Sequence, residues 1–129
     1  MIPFSYKNGS LHAEDVALSE IARMAGTPVY VYSAGRIRAN FRRIHSAVSS
    51  LGPVRVCYAV KACSNQAILA LMAKEGAGAD IVSGGELARA LAAGIAPDKI
   101  VFSGVGKTEA ELEAALKAGI HQINAESLP

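Results

Sequence analysis

Lys61 is the residue whose type and position best suit covalent chemistry in this chain. It follows a mostly apolar run at residues 54–60, which has the composition of a strand and contains no acid. Desolvation among apolar groups disfavours the charged form of a lysine, which leaves more of the neutral amine that attacks aldehydes and carbonyls. The alternative is a structural lysine that extends its ammonium group into water at a strand end. The spacing alone leaves both interpretations open.

The other possible nucleophiles and metal ligands are scattered along the chain. Cys57 and Cys63 are not spaced as a CxxC redox pair and have no histidines at metal-ligand spacing, so we interpret them as free thiols. His12, His45 and His121 are far apart and share no motif. The sequence therefore predicts no metal site.

The composition is that of an ordinary globular unit and indicates no macromolecular partner. Of 129 residues, 51% are hydrophobic and 19% are charged, and 13 basic against 11 acidic residues give a net charge of +2. This balance does not predict binding to nucleic acid, and the arginines within residues 36–43 are expected on the solvated side of a helix. No membrane-spanning run and no signal peptide are recognisable, which predicts a cytoplasmic protein without membrane contact.

The first part of the chain predicts two helices and a strand. Apolar residues near helical spacing predict a helix over residues 14–25, which ends at Gly26. Residues 29–32 have the β-branched and aromatic composition of a strand, and Ser33 can cap the helix that follows. This second helix should end at Gly52. Its apolar residues recur at steps of four and three: Ile37, Phe41, Ile44, Val48 and Leu51.

From residue 54 onward, a short apolar strand followed by a helix is repeated. The strand-helix units cover residues 54–76, 79–94 and 100–119, and a last strand lies near residues 122–125. Two of the helices begin with predicted capping boxes, Ser83 with Glu86 and Thr108 with Glu111. Regular βα units of this kind are typical of a parallel sheet with right-handed crossovers.

The predicted fold class is therefore α/β, built from parallel βα units. Nearly continuous apolar strands are typical of a sheet that is covered on both faces. A TIM-type (β/α)8 barrel needs eight such units and about 250 residues, so four strands correspond to about half a barrel. The alternative is a small doubly wound open sheet. In both architectures, ligands bind beyond the carboxyl ends of the strands.

Two phosphate-binding motifs are present only in part. Residues 106–108 (GKT) resemble the end of a P-loop, but Val101 occupies the position of the required first glycine. The GxG at residues 76–78 begins a dinucleotide-binding motif, but Ile81 stands in place of its third glycine. Residues 83–85 could present backbone N–H groups to an anion, although the capping box also explains them. We therefore do not predict a nucleotide-binding protein.

Four segments resemble a known family. They read TPVYVYS at residues 27–33, CYAVKA at 57–62, GAGADIVSGGEL at 76–87 and IVFSGVGKT at 100–108. In these segments the chain is similar to the barrel decarboxylases that use pyridoxal phosphate, and most closely to their diaminopimelate decarboxylase branch. The last two segments are the more particular to that branch, and the resemblance covers nearly the whole chain.

The resemblance implies roles for specific residues. Lys61 matches the family's catalytic lysine, which binds pyridoxal 5'-phosphate as a Schiff base. Asp80, in the GADIVS segment, matches a carboxylate that lies close to this lysine. Ala59 and Cys63, which flank the lysine, are expected to line the same pocket. Cys63 departs from the family, which usually has asparagine at this position, so the local hydrogen bonding differs there.

The resemblance also implies an activity for a longer, homodimeric parent protein. The parent would remove the carboxylate from the D-configured centre of meso-2,6-diaminopimelate, an amino-acid substrate, to give L-lysine. Residues 1–33 would belong to or contact a second, β domain, and residues 34–129 would form the first four strands of the cofactor-binding barrel. The chain by itself is expected to be inactive and to self-associate through its strand edges. The alternatives are a decarboxylase of arginine or ornithine, a non-catalytic pyridoxal phosphate carrier, and an interaction module.

Overall fold

The computed structural model of the protein describes residues 3–127. Residues 1–2 of the predicted segment 1–33 and residues 128–129 of the predicted segment 34–129 lie outside this range. The chain divides into two units, one that ends at Arg43 and one that begins at Ile44.

A three-stranded antiparallel sheet begins the first unit. Strand β1 (Phe4–Lys7) pairs with β2 (Ser10–Ala13), which also pairs with β3 (Val16–Ala17). Asn8 and Gly9 connect β1 to β2 with φ angles of 51° and 78°. Positive φ at both positions is what a two-residue type I′ hairpin turn requires, and Asn-Gly is its strongest sequence signal. The helical interpretation of the following residues overlooked this signal.

The predicted helix over residues 14–25 is wrong at its start. Helix α1 (Leu18–Ala25) begins four residues later, because Val16 and Ala17 are paired with β2 and cannot enter the helical ladder. The predicted end at Gly26 is confirmed. Its φ is 77°, and its N–H donates to the carbonyl of Ala22 at 2.9 Å.

The predicted strand at residues 29–32 is also wrong. These residues lie in neither a helix nor a strand, and no strand within residues 3–127 pairs with them. β-Branched and aromatic side chains favour a strand only where a neighbouring strand can satisfy its backbone groups. Tyr30 is 89% exposed, so the apolar composition of the segment is not explained by burial within its own unit.

Helix α2 (Ala34–Val48) agrees closely with its prediction. The Ser33 hydroxyl oxygen accepts a hydrogen bond from the Arg36 N–H at 3.0 Å, which confirms the predicted cap. A 3-10 turn (Ser49–Leu51) follows, and Gly52, with a φ of 111°, ends it as predicted.

The carboxylate of Glu14 anchors the start of α2. It accepts hydrogen bonds from the Ser33 hydroxyl at 2.6 Å and from the Gly35 N–H at 2.7 Å. These two donors stabilise the ionised form and lower the pKa of Glu14. Glu14 has a positive φ of 55°, a strained conformation for a residue with a side chain, and these hydrogen bonds oppose the strain.

The second unit contains a four-stranded parallel sheet. The strands β4 to β7 lie side by side in chain order: Cys57–Ala59, Gly78–Ile81, Ile100–Phe102 and Gln122–Ile123. Three helices, α3 to α5, connect them: Gln66–Lys74, Gly84–Ala92 and Glu109–Ala118. The predicted repetition of strand and helix is thereby confirmed. No helix within residues 3–127 combines the length and the apolar character needed to cross a bilayer.

One face of this sheet, the packed face, is covered by the helices. Its residues alternate along the strands with those of the opposite face: Tyr58, Ala79, Ile81, Ile100, Phe102 and Ile123. They pack against fully or nearly fully buried residues of the connecting segments: Val60, Leu69, Leu87, Ala90, Ile95 and Ala115. The hydrophobic core of the unit therefore lies between the sheet and its helices.

The opposite face, the open face, presents the remaining residues. Successive strands place Ala59, Asp80, Val101 and Gln122 in register, with Cys57 and Gly78 one layer below. None of these residues except Gly78 is buried. Chemistry at this sheet therefore belongs to the open face and to the carboxyl ends of its strands.

Candidate active site

Lys61 lies directly after the carboxyl end of β4. It is the second residue of a 3-10 turn (Val60–Ala62), whose first residue, Val60, is completely buried in the core. The turn is therefore anchored immediately before the lysine. The apolar surroundings expected for Lys61 are not provided by the described residues, because its side chain is exposed and only residues 57–59 of the expected strand form β4. Within residues 3–127, β5 is the only strand that pairs with β4.

Asp80 lies on the neighbouring strand, in register with Ala59 and therefore two residues before the level of Lys61. One of its carboxylate oxygens, Oδ1, is buried and has no hydrogen-bond partner within residues 3–127. A buried acceptor without a partner costs free energy, of order 1–3 kcal/mol, and such groups in native proteins call for a partner or a function. The structure thus brings Ala59 and Asp80 onto adjacent strands at the edge that carries Lys61.

Two further polar residues, Ser103 and Asn124, follow β6 and β7. The N–H of Ser103 donates to the carbonyl of Ile81 at 2.8 Å, and that of Asn124 to the carbonyl of Phe102 at 2.9 Å, so the ladder continues past the strand ends. Neither residue is among the site residues predicted from the sequence. The signal was a polar residue directly after a buried strand end, the position where ligands bind in parallel sheets.

The Asn124 side chain connects this edge through two hydrogen bonds. Its Nδ2 donates to the Ser103 hydroxyl oxygen at 3.0 Å, and its Oδ1 accepts from Gln122 Nε2 at 2.5 Å. The two bonds fix the orientation of the carboxamide, since the oxygen and the nitrogen have different partners.

Lys107, from the incomplete P-loop motif, is used inside the fold. Its side chain is only 8% exposed, and its amine donates to the carbonyl of Asn124 at 2.6 Å. The carboxylate of Glu126 lies 3.8 Å away, and the centroid of the Phe102 ring lies 5.6 Å away. These contacts offset the burial of the charge and tie the β6–α5 loop to the end of β7.

The capping box predicted at α5 is confirmed. Thr108 Oγ1 accepts from the Glu111 N–H at 3.3 Å, and Glu111 Oε2 accepts from the Thr108 N–H at 3.0 Å. The other oxygen of Glu111 accepts from the N–H of Gly84, at the start of α4, at 2.8 Å. Together with the Thr108 hydroxyl, these donors lower the pKa of Glu111. The Gly84 N–H, which could have bound an external anion, is thus already hydrogen-bonded to a carboxylate of the protein itself.

The capping box predicted at α4 forms only in part. Ser83 accepts from the Glu86 N–H at 3.2 Å, but the Glu86 carboxylate accepts from the N–H of Val82, at 2.8 Å, rather than from that of Ser83. A Cβ on Gly104 would lie 2.3 Å from the Val82 carbonyl oxygen, so the loops after β5 and β6 are in close contact. Glu86, Glu111 and Gly104 together fix the segment that follows Asp80.

Both cysteines are free thiols, as predicted. Cys57 lies on the open face one layer below Ala59, and burial raises the pKa of its thiol. Cys63 follows the lysine turn, and its carbonyl accepts a hydrogen bond from the Tyr58 hydroxyl at 3.2 Å. Within residues 3–127, no three histidine, cysteine or acidic side chains converge in a way that could hold a metal ion.

Comparison with known proteins identifies the family. Residues 34–129 match the family described as pyridoxal-dependent decarboxylase, pyridoxal binding domain. The chain belongs to this family. The resemblance found in the four sequence segments is thereby confirmed, as is the expected pyridoxal cofactor of the family.

Several similar relatives belong to one branch of the family. A diaminopimelate decarboxylase of Zymomonas mobilis is 55% identical over 130 residues, which cover 99% of this chain and 31% of that protein. The Pseudomonas fluorescens diaminopimelate decarboxylase is 54% identical over 127 residues, covering 98% of this chain and 30% of the relative. The chain therefore spans about 30% of the length of the curated relatives it matches.

A solved structure agrees with the fold. The diaminopimelate decarboxylase of M. jannaschii in co-complex with L-lysine superposes with a TM-score of 0.94 at 37% identity, over 98% of this chain and 30% of that chain. This confirms the predicted parallel α/β fold as part of a TIM-type barrel, in preference to a small doubly wound open sheet.

Proposed function

We propose that the full-length protein that contains this chain is a pyridoxal phosphate-dependent decarboxylase that converts meso-2,6-diaminopimelate to L-lysine. The observation that carries the proposal is the position of the CYAVKA lysine. Lys61 follows β4 directly, and the next strand presents Asp80 with a buried, unpartnered carboxylate oxygen. The relatives at 55% and 54% identity support the choice of substrate, since both are diaminopimelate decarboxylases.

The residues present fit a pyridoxal cofactor. A primary amine is the group that binds an aldehyde covalently, and Lys61 is exposed and accessible for this purpose. The unpartnered oxygen of Asp80 provides an acceptor for a cation or a hydrogen-bond donor at the same edge. Ala59, in register with Asp80 and two residues before Lys61, has a small side chain that occupies little space at this edge.

Each of these residues has its own task in the proposed reaction. Lys61 would hold the cofactor through its amine, and the same amine, when free, could carry a proton. Asp80 would favour the protonated form of a neighbouring nitrogen and orient it, because an opposite charge within a few ångströms stabilises the charged state. The chemistry that pyridoxal phosphate supplies when bound is that of an electron sink for the pair left by the departing carboxylate.

The proposal extends to organisation and location. Residues 1–33 are proposed to belong to or contact a second domain, and residues 34–129 to form the first four strands of the cofactor-binding barrel. The full-length protein is proposed to act as a homodimer in the cytoplasm, with an amino acid as its small-molecule substrate and with neither nucleic acid nor a membrane as a partner. The net charge of +2 supports the last point, since it indicates no attraction to polyanions.

A substitution of the lysine tests the proposal. In the full-length protein, Lys61→Ala should abolish release of carbon dioxide from diaminopimelate, since it removes the amine that is proposed to hold the cofactor covalently. Borohydride reduction of the wild-type protein in the presence of pyridoxal phosphate, followed by peptide mapping, should label Lys61. Lys74→Ala changes an exposed lysine in the last turn of α3 and serves as the matched control, with wild-type activity expected.

Three outcomes would contradict the proposal. Label on a different lysine would show that the catalytic residue is wrong. Turnover of arginine or ornithine in preference to diaminopimelate would show that the substrate is wrong. Cofactor binding without decarboxylation of any of the three amino acids would favour a carrier.

A further inference from the structure

The open face carries a second polar pair, Ser103 and Asn124, beside the Lys61 and Asp80 edge. Side chains alternate along a strand, and the ladder bonds continue to both residues. Ser103 lies two residues after Val101, and Asn124 lies two residues after Gln122, so both continue the open face. They lie one row beyond the row of Asp80, Val101 and Gln122, nearer to the carboxyl ends of the strands.

The geometry of this pair leaves hydrogen-bond donors available. The Ser103 oxygen accepts from Asn124 Nδ2, so the proton of the serine hydroxyl can be given to another acceptor. The carboxamide uses one of its two N–H groups in this bond, and its oxygen is bonded to Gln122. Two oriented donors at the carboxyl ends of parallel strands are suited to an oxygen acceptor of a ligand.

Lys107 keeps Asn124 in this arrangement. Its amine bonds to the main-chain carbonyl of Asn124 at 2.6 Å and lies against the ring of Phe102, the last residue of β6. The side chain is only 8% exposed, so most of it is packed inside the fold. The GKT sequence at residues 106–108 thus connects the ends of β6 and β7 through the side chain of Lys107.

We propose that Ser103 and Asn124 form a second ligand-binding surface of the active site, the second wall, beside the Lys61 and Asp80 edge. Lys107 is its positioning residue. The pair donates hydrogen bonds to an oxygen acceptor carried by the cofactor or by the amino-acid substrate. Adjacent parallel strands are about 4.8 Å apart, so β6 is roughly 10 Å from β4, within the reach of a ligand held by the long side chain of Lys61. The inference rests on the proposed decarboxylase function.

Substitution of Ser103 tests the wall in the full-length protein. Ser103→Ala removes the donor with little change in volume. If the acceptor belongs to the cofactor, the Kd for pyridoxal phosphate, measured by equilibrium dialysis, should rise about tenfold, and the visible absorbance of the bound cofactor should change in its pH dependence. If the acceptor belongs to the substrate, that Kd should stay constant while the KM for diaminopimelate rises about tenfold.

Ser49→Ala is the matched control. Ser49 is exposed in a 3-10 turn, and its hydroxyl donates to the Ser46 carbonyl at 2.8 Å. Because this serine lies in a different part of the second unit, the control should leave the Kd, the KM and the absorbance unchanged.

A double-mutant cycle tests the role of Lys107. Lys107→Met keeps an unbranched side chain of similar length but removes the amine, so it should raise the same constant as Ser103→Ala by a smaller factor. When Lys107→Met is combined with Asn124→Ala, the constant should rise no further than in Asn124→Ala alone, because Lys107 acts through Asn124. A purely structural role would instead add its effect to that of Asn124→Ala.

The outcomes separate this inference from the proposed function. A Ser103→Ala protein with a wild-type unfolding midpoint, Kd, KM and absorbance would overturn the second wall and leave the decarboxylase proposal intact. A wild-type protein that neither binds pyridoxal phosphate nor releases carbon dioxide would overturn the decarboxylase itself. Should Ser103→Ala fail to fold, Ser103→Cys carries the same expectation, since a thiol is a weak donor of similar volume.

Discussion

Alternate residues of the same strands form the two faces of the parallel sheet, and the faces differ in what their side chains contact. On the packed face, Ile81, Ile100 and Phe102 are completely buried against the helices. On the open face, Asp80 and Gln122 are polar, and a buried oxygen of Asp80 has no partner within residues 3–127. One set of side chains stabilises the fold, and the other is available for chemistry. The comparison shows how a period of two residues separates stability from function within a strand.

The largest effect is expected on the packed face. Phe102→Ala should lower the free energy of unfolding of the full-length protein by about 3–5 kcal/mol, because it leaves a cavity where a fully buried ring was packed. Its neighbour Val101, half-buried on the open face, provides the control. Val101→Ala should lower the free energy of unfolding much less. Both values can be measured by urea unfolding followed by circular dichroism. Equal losses for the two variants would mean that the faces are not distinct.

An intermediate effect of opposite sign is expected on the open face. Asp80→Leu removes a buried carboxylate oxygen that has no partner, so the cofactor-free protein should become more stable by about 1 kcal/mol or more. The Kd for pyridoxal phosphate should rise in the same variant. Asp80→Asn keeps the shape of the side chain but removes its charge. This variant should bind the cofactor more weakly, with little change in the free energy of unfolding. A large destabilisation by Asp80→Leu would show that Asp80 has a structural partner in the full-length protein.

The smallest effect is expected at Glu111, which links the loops around the site. Hydrogen bonds from Gly84 and Thr108 lower its pKa in the folded state. Its contribution to stability is therefore complete above the unfolded pKa, which for glutamate is about 4.3, and is lost as the pH falls through the lower folded value. Glu111→Gln should flatten the decrease of the thermal unfolding midpoint in this acid range.

Glu113→Gln is the control for this pH dependence. Glu113 lies on the same helix and is exposed, with its carboxylate 2.8 Å from Lys117. Exposed pairs of this kind contribute little to stability, so the variant should keep the wild-type pH profile. If both glutamine variants gave the same profile, the loop link through Glu111 would not be a source of acid sensitivity.

The errors in prediction have a common physical cause. Residues 29–32 have the composition of a strand, but a strand exists only if another strand completes its hydrogen bonds, and composition does not contain that information. Likewise, Val16 joined a hairpin rather than α1, because pairing with β2 competed with helix formation. The Glu86 carboxylate bonded to the N–H of Val82 instead of Ser83, a choice between neighbouring donors that depends on the geometry of the loop.

The amino-acid sequence was enough to predict the order of strands and helices from residue 54 onward, the position of Lys61 after an apolar strand, and the family. Those features depend on local periodicity, on turn residues and on short motifs. Three features became visible only in the folded chain: Asp80 lies in register beside Ala59, Glu111 reaches the start of another helix, and Lys107 supports Asn124. These contacts join residues from different βα units, and their distances follow from the packing of the sheet rather than from spacing along the chain.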